Sequence, residues 1–174
     1  MLRRLLDFLL RPIAGAGVEG LYRTCVEQAR QPVFYTELGV PDTVEGRFDL
    51  LILHVILVLQ RLQERSAEAQ QLFDILFADM DRNLREMGVS DMRISKKIKP
   101  LLEAFYGRSR VYAQALAETD ETLAEALRRN IYGDSSALAA VTRLTDYVRR
   151  THRALAAAKL DDIMAGRLSF PQVI

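Results

Sequence analysis

One block of ten residues, Leu50 to Leu59, is apolar at every position except His54. The block is too short to cross a bilayer, because a membrane-spanning helix takes about 20 such residues. It is therefore expected to be a helix buried in a protein core. The segment before it, residues 34–48, is rich in Gly, Pro and charged side chains and is more elaborate than the start of a helix requires. This contrast indicates that residues 34–48 form a functional surface.

Length and composition restrict the class of protein. The chain has 174 residues, 49% hydrophobic and 27% charged, which fits one soluble globular domain with a core of its own. The net charge of +1 predicts no general attraction to nucleic acid. Cys25 is the single cysteine, which excludes an internal disulfide and fits a reducing compartment.

Apolar residues mostly recur at three- and four-residue spacing, which predicts helices throughout. The fold class expected is all-α, a single-domain helical bundle of about six to eight helices. Residues 1–16 are interpreted as an amphipathic N-terminal segment and residues 17–174 as the domain. A loop is expected over 32–42, and the predicted helices cover residues 17–30, 43–65, 67–87, 95–116, 120–131, 134–158 and 160–165.

Helix boundaries follow from capping residues. Asp42 is expected to cap the helix that carries the apolar block, with Glu45 three residues later as in a capping box. Gly88 is expected to stop the next helix. A helix beginning at Ser95 would place Pro100 near its first turn, where a missing N–H costs least. Thr119 or Asp120 is expected to cap the helix over 120–131, and Asp134 the helix over 134–158. Gly107 is expected to break or bend the helix over 95–116.

The first ten residues form a leucine-rich helix pattern with its arginines on one narrow arc. We interpret the segment as retained rather than as a cleaved signal peptide. A wide apolar face of this kind suits a membrane interface, packing on the bundle, or packing on a partner. These alternatives stay open at this point. If the membrane is the target, the contact residues are Leu2, Leu5, Leu6 and Leu9.

The chain lacks the usual patterns of catalysis and metal binding. Residues 15–20 match G-x-G-x-x-G, but no strand precedes them as dinucleotide binding requires. Asp79, Asp81 and Asn83 resemble the start of a calcium loop without its later ligands. His54 is interpreted as a core or rim histidine hydrogen-bonded to a neighbour, with a partner-contact or haem-related role as the alternative. No cofactor, no metal and no catalytic residue is predicted.

Several peptides, in order, resemble those of the ubiquinol–cytochrome c chaperones, which are assembly factors for the respiratory cytochrome bc complex. They span about residues 20–116, and the chain beyond about 120 contributes little. The peptides are Ala29-Arg30, Phe34-Tyr35, Gly39-Val40-Pro41-Asp42-Thr43, Gly46-Arg47-Phe48, Leu53-His54 with Leu57, Asp81-x-Asn83-Leu84-Arg85-Glu86-Met87-Gly88-Val89-x-Asp91, and Phe105-Tyr106-Gly107-Arg108 with Tyr112.

This resemblance implies a non-enzymatic chaperone that holds newly made cytochrome b, into which haem is then inserted. It also implies a small helper protein and a place in the cytoplasm, peripheral on the cytoplasmic face of the bacterial inner membrane, with no nucleic-acid partner. The polar segment 79–91 is either a self-paired solvated face or part of the docking surface. The partner-binding residues expected are Tyr35, Asp42, Arg47, Arg85, Asp91 and Arg108.

Two other classes of function are kept as alternatives. One is a helical-bundle enzyme that acts on an isoprenoid or lipid-like substrate. Such an enzyme generally needs clustered carboxylates to hold metal and phosphate, and none is evident on facing helices. The other is a homo-oligomeric helical scaffold.

Overall fold

The computed structural model describes residues 17–86, 88–133 and 138–173, without the side chains of Asp91, Ser95 and Lys97. The predicted membrane contacts Leu2, Leu5, Leu6 and Leu9 therefore lie outside the described residues, as does Asp134. The helical segments are α1 (Val18–Ala29), α2 (Val33–Thr36), α3 (Val44–Arg61), α4 (Ser66–Glu86), α5 (Asp91–Ala117), α6 (Asp120–Leu127), α7 (Leu138–Ala157) and α8 (Leu160–Met164), with a 3-10 turn at Leu62–Glu64 and a π turn at Arg128–Tyr132.

Helix α3 is the centre of the bundle, in contact with α1, α4, α5 and α7. Leu50 and residues 52–58 are each 2% exposed or less, so the prediction of a buried core block is confirmed. Burial of one such aliphatic side chain contributes roughly 1.5–3 kcal/mol. The described elements are helices and turns without a strand, which confirms the all-α, single-domain bundle. Among the described helices none has the length and apolar character needed to cross a membrane.

A short chain of hydrogen bonds crosses the apolar core. His54 Nδ1 lies 2.8 Å from the Leu50 carbonyl oxygen, and His54 Nε2 lies 2.9 Å from the Tyr147 hydroxyl. A carbonyl can only accept, so Nδ1 carries the proton and Nε2 accepts from Tyr147. Gln28 Nε2 donates to the same hydroxyl over 3.0 Å, which links α1, α3 and α7. The interpretation of His54 as a bonded core histidine is confirmed.

These buried groups are held uncharged at neutral pH. Burial lowers the pKa of His54 to about 4, although the bond to Leu50 works in the opposite direction. Burial also raises the pKa of Tyr147 to about 12. Phe34 and Phe170 lie edge-on to the His54 ring, with centroids 5.5 and 5.2 Å away. The surroundings are thus apolar, which disfavours the imidazolium form.

The cap of α3 differs from the prediction. Thr43, in an extended conformation, accepts a hydrogen bond from the Gly46 backbone N–H at 3.1 Å. Asp42 was predicted as this cap, which is wrong, because its carboxylate pairs with Arg47 instead. Thr119 caps α6 in the same way as Thr43 caps α3, as one of the two predicted alternatives.

Helix α5 begins at Asp91, behind the N-cap Ser90, so the predicted start at Ser95 is wrong. Pro100 consequently lies inside the helix rather than in its first turn. The position is exposed, so water can reach the Lys96 carbonyl that lacks an intrahelical donor. Gly107 does not break the helix, which continues to Ala117.

Two connections between helices, at Gly88 and over residues 32–42, were also predicted from the sequence. Gly88 ends α4 as predicted: its φ is 79°, Gly88 N donates to the Arg85 carbonyl at 2.9 Å and Val89 N to the Leu84 carbonyl at 3.0 Å. The expected loop 32–42 contains the short helix α2, which sequence reasoning missed. Four residues are too few to show a helical period, and Pro32 supplies the backbone angle that starts the turn.

Candidate docking surface

Residues 34–43 pack closely on the first turn of α3. A Cβ atom added to Gly46 would lie 2.1 Å from the Pro41 carbonyl oxygen, so only glycine fits there. Gly39 has a φ of 64°, and the next residue, Val40, donates its N–H to the Phe34 carbonyl at 3.0 Å. Backbone contacts therefore fix the shape of this segment.

Three of the predicted partner residues form one group where this segment meets α3. Arg47 Nε lies 2.5 Å from Asp42 Oδ1, and the Arg47 guanidinium carbon lies 5.5 Å from the centroid of the Tyr35 ring. Tyr35 in turn donates its hydroxyl to the Ala29 carbonyl at 2.6 Å. The side chains of Arg47 and Asp42 are 59% and 54% exposed. We call Tyr35, Asp42 and Arg47 the loop cluster.

The loop cluster presents a cation whose position is set by two partners. The hydrogen bond from Arg47 lowers the pKa of Asp42, so the carboxylate stays charged and keeps the guanidinium in place. The ring of Tyr35 adds a cation–π contact on one face. An arginine arranged in this way can still donate from its remaining N–H groups to a carboxylate or carbonyl of a partner.

Arg108 joins two helices through an ion pair with Asp49. Its guanidinium is 2.8 Å from Asp49 Oδ1, and the two side chains are only 22% and 19% exposed. Burial raises the pKa of Asp49, while Arg108 pulls it down. The pair connects α5 to α3. A partner-binding role for Arg108 stays a prediction.

The polar segment at the end of α4 is largely paired within its own helix. Arg85 Nε lies 2.7 Å from Asp81 Oδ2, as the four-residue spacing predicts. Arg82 pairs with Asp79, whose other carboxylate oxygen accepts from the Tyr22 hydroxyl of α1 at 2.8 Å. The side chain of Asp91 lies outside the described part of the structure. Arg85 is thus paired within its own helix, and a partner-binding role for it stays a prediction.

Sequence reasoning did not single out the exposed apolar side chains of α5. Tyr106 is 56% exposed and stacks on Phe73 of α4, with centroids 5.8 Å apart. Met92, near the start of α5, is 76% exposed. The Phe105-Tyr106 dipeptide contributed to the family resemblance, but it did not predict that Tyr106 is exposed. Contiguous exposed apolar patches are typical of contact surfaces, whereas single exposed apolar residues are common on any protein.

The described residues hold no group of three or more His, Cys, Asp or Glu side chains that could bind a metal ion. An open groove of about 510 Å³ lies between α5 and α6. Its two carboxylates, Glu121 and Glu125, come from one helix, and Glu125 is already paired with Arg128. The arrangement does not resemble the facing carboxylates that a metal–phosphate enzyme needs.

Comparison with known proteins gives a consistent picture. The sequence model described as "Ubiquinol-cytochrome C chaperone" matches residues 36–170. The match continues well past residue 120, so the expectation that the later part of the chain contributes little is wrong. The crystal structure of the Cbp3 homolog from Brucella abortus is 34% identical, with a TM-score of 0.83 over 99% of this chain and 98% of that one.

Two curated relatives are more distant. Ubiquinol-cytochrome c reductase complex assembly factor 1 of Mus musculus is 24% identical over 149 residues, which is 83% of this chain and 50% of that protein. Protein CBP3, mitochondrial, of Saccharomyces cerevisiae is 29% identical over 139 residues, 70% of this chain and 41% of that protein. The chain thus spans about half the length, or less, of these two relatives.

Proposed function

This chain belongs to the ubiquinol–cytochrome c chaperone family, and on that premise we propose that it is a non-enzymatic assembly factor for ubiquinol–cytochrome c reductase. The observation that carries the proposal is that the family match covers most of the chain, including Asp42 and Arg47 of the loop cluster and the whole of α5. The interior agrees with this role, because His54 and Tyr147 are bonded to each other and sealed in the core rather than open to a substrate.

At a finer level, the proposed client is newly made cytochrome b. A holding chaperone needs a surface with both polar anchors and apolar contacts, and it needs no catalytic group. The loop cluster supplies a fixed, exposed arginine, and α5 supplies exposed Tyr106. Of the predicted partner residues, Tyr35, Asp42 and Arg47 form the proposed anchor. Arg85, Asp91 and Arg108, together with the small helper protein, stay proposals without further support.

Deleting the gene in its host organism tests the assembly role. We expect the deletion to abolish most of the assembled cytochrome bc complex, because unheld cytochrome b would be degraded before it is assembled. Complex content is measured by native electrophoresis and by the reduced-minus-oxidised haem spectrum of membranes. Expression of the intact chain from a plasmid should restore both. A deletion strain with a normal amount of complex would contradict the proposed function.

Photocrosslinking tests the proposed client and surface. A photoreactive amino acid at Arg47, whose side chain is 59% exposed, should capture cytochrome b in cells that are synthesising it. The matched control is Arg153, an exposed arginine on α7. We expect capture at Arg47 and little at Arg153, as judged by immunoblotting and mass spectrometry. Equal capture at both positions, or none at Arg47, would mean that the loop cluster is not the docking site.

A further inference from the structure

The beginning of α5 carries the densest run of cations in the chain. Arg93, Lys96, Lys97 and Lys99 fall within seven residues, and no carboxylate occurs between residues 92 and 102. The segment contributes +4 to a net charge of +1, so the rest of the chain sums to −3. The segment is therefore a local excess of positive charge, which creates a field that the total charge hides.

The cations whose side chains are described are open to solvent. Arg93, Lys96 and Lys99 are all exposed, and none forms an ion pair with another described side chain. Arg108, further along the same helix, is by contrast partly buried against Asp49. Charges without a partner keep their full attraction for an external anion.

The same helix segment also offers apolar contact. Among the described side chains of residues 91–104, only Ile94 is buried. At about 100° per residue, Met92, Lys96 and Lys99 share the face opposite Ile94. Met92 is 76% exposed. Ile98 and Leu101 fall within about 40° of Ile94, on the opposite side of the helix, and Leu102 lies between the two sides, so Met92 is the apolar side chain that this face exposes. We call Met92, Arg93, Lys96 and Lys99 the basic face of α5.

We propose that the basic face of α5 docks on an anionic phospholipid surface. Clustered Lys and Arg beside an exposed apolar side chain on a helix are a combination that anionic bilayers attract: the cations meet the headgroups and Met92 enters the interface. Single-stranded RNA would instead need unstacked aromatic rings, and the nearby Tyr106 ring is already stacked on Phe73. Charge and apolar character together therefore favour a lipid surface.

This inference goes beyond the assembly role, since it names the lipid chemistry and the residues that would hold the chain at a bilayer. It does not depend on residues 1–16. The binding comes from surface charge, so raising the salt from about 0.1 to about 1 M, which shortens the screening length from about 10 to about 3 Å, should abolish most of it.

Vesicle co-sedimentation of the purified full chain tests the proposal. We expect binding to vesicles of phosphatidylcholine mixed with phosphatidylglycerol and much weaker binding to phosphatidylcholine alone. The combined variant Arg93→Gln, Lys96→Gln and Lys99→Gln should lose about fivefold in affinity for each cation removed, or roughly 100-fold in all. The matched control removes the same charge from exposed residues of other segments, Arg30→Gln, Arg153→Gln and Lys159→Gln, and should bind nearly as the natural chain does.

Three outcomes would overturn the proposal. In the first, the basic-face variant binds anionic vesicles as well as the natural chain does. In the second, the natural chain binds neutral and anionic vesicles equally. In the third, the variant loses binding to RNA but keeps its binding to vesicles. Circular dichroism verifies that both triple variants remain folded. The assay contains no cytochrome b, so its failure would leave the assembly role standing, and a failure of the assembly role would leave the lipid result standing.

Discussion

Replacing Gly46 by alanine is expected to destabilise the protein by about 1–3 kcal/mol, the range typical of an atom forced into a packed site. In an open helix interior the same replacement would stabilise, since alanine is the better helix former. Here the new Cβ would lie 2.1 Å from the Pro41 carbonyl oxygen, which is a backbone atom and cannot rotate away. Either the loop before α3 or the first turn of the helix must move. Denaturant unfolding followed by circular dichroism measures the change.

Gly107 provides the matched control, because it also lies within a helix. A Cβ atom there would meet nothing within 4 Å. Gly107→Ala is therefore expected to stabilise the protein by about 0.5–1 kcal/mol. The two alanine variants should shift the unfolding midpoint in opposite directions. A Gly46→Ala variant as stable as the natural chain would show that the contact with Pro41 does not fix the loop.

The same glycine illustrates which parts of the fold the sequence could predict. The block from Leu50 to Leu59 has one reasonable interpretation, since an apolar run too short for a bilayer must be buried. Gly88 was equally clear as a helix stop, because a glycine after a helical stripe provides the positive φ that ends it. The need for glycine at position 46 could not be predicted, since it arises from a contact with Pro41 that exists only after the loop has folded back.

The geometry of the loop cluster could not be predicted from the sequence, and the partner-binding role of its residues stays a prediction. Asp42 and Thr43 are both good capping residues, and the choice between them depends on Arg47, whose side chain pairs with the Asp42 carboxylate and leaves Thr43 to accept from the backbone. The contact of Tyr35 with Arg47 depends on the short helix α2, which has no visible period. The pair Arg108–Asp49 required knowledge of how α5 packs on α3. Each of these outcomes is decided by tertiary packing rather than by local sequence.

The last prediction concerns pH. As the pH falls from 6.5 to about 4, the free energy of unfolding is expected to fall by roughly 3 kcal/mol because of His54. Its pKa is lowered from 6.5 to about 4 in the folded state, mainly by burial. Above pH 6.5 the ring is neutral in both states and the contribution is complete. Below that value the unfolded chain gains a proton that the folded core refuses, so stability is lost as the pH falls toward the folded pKa.

A His54→Gln variant isolates this contribution. The variant should be less stable at neutral pH, because the bond to Tyr147 is altered, but its stability should fall less steeply between pH 6.5 and about 4. Carboxylates such as Asp42 also titrate in acid, and they are common to both proteins, so they cancel in the difference. His152→Gln is the control: burial lowers the pKa of His152 too, but the side chain is only half-buried, so its effect should be smaller.

Should the His54→Gln variant fail to fold, the NMR signals of the His54 ring in the natural chain give the same information. They should show no titration until the pH approaches 4. A ring that titrates near 6.5 in the folded protein would mean that water reaches the core around Tyr147. The bonded pair His54–Tyr147 would then be an accessible polar site, and the view of this chain as a filled bundle that acts only through its surface would have to be abandoned.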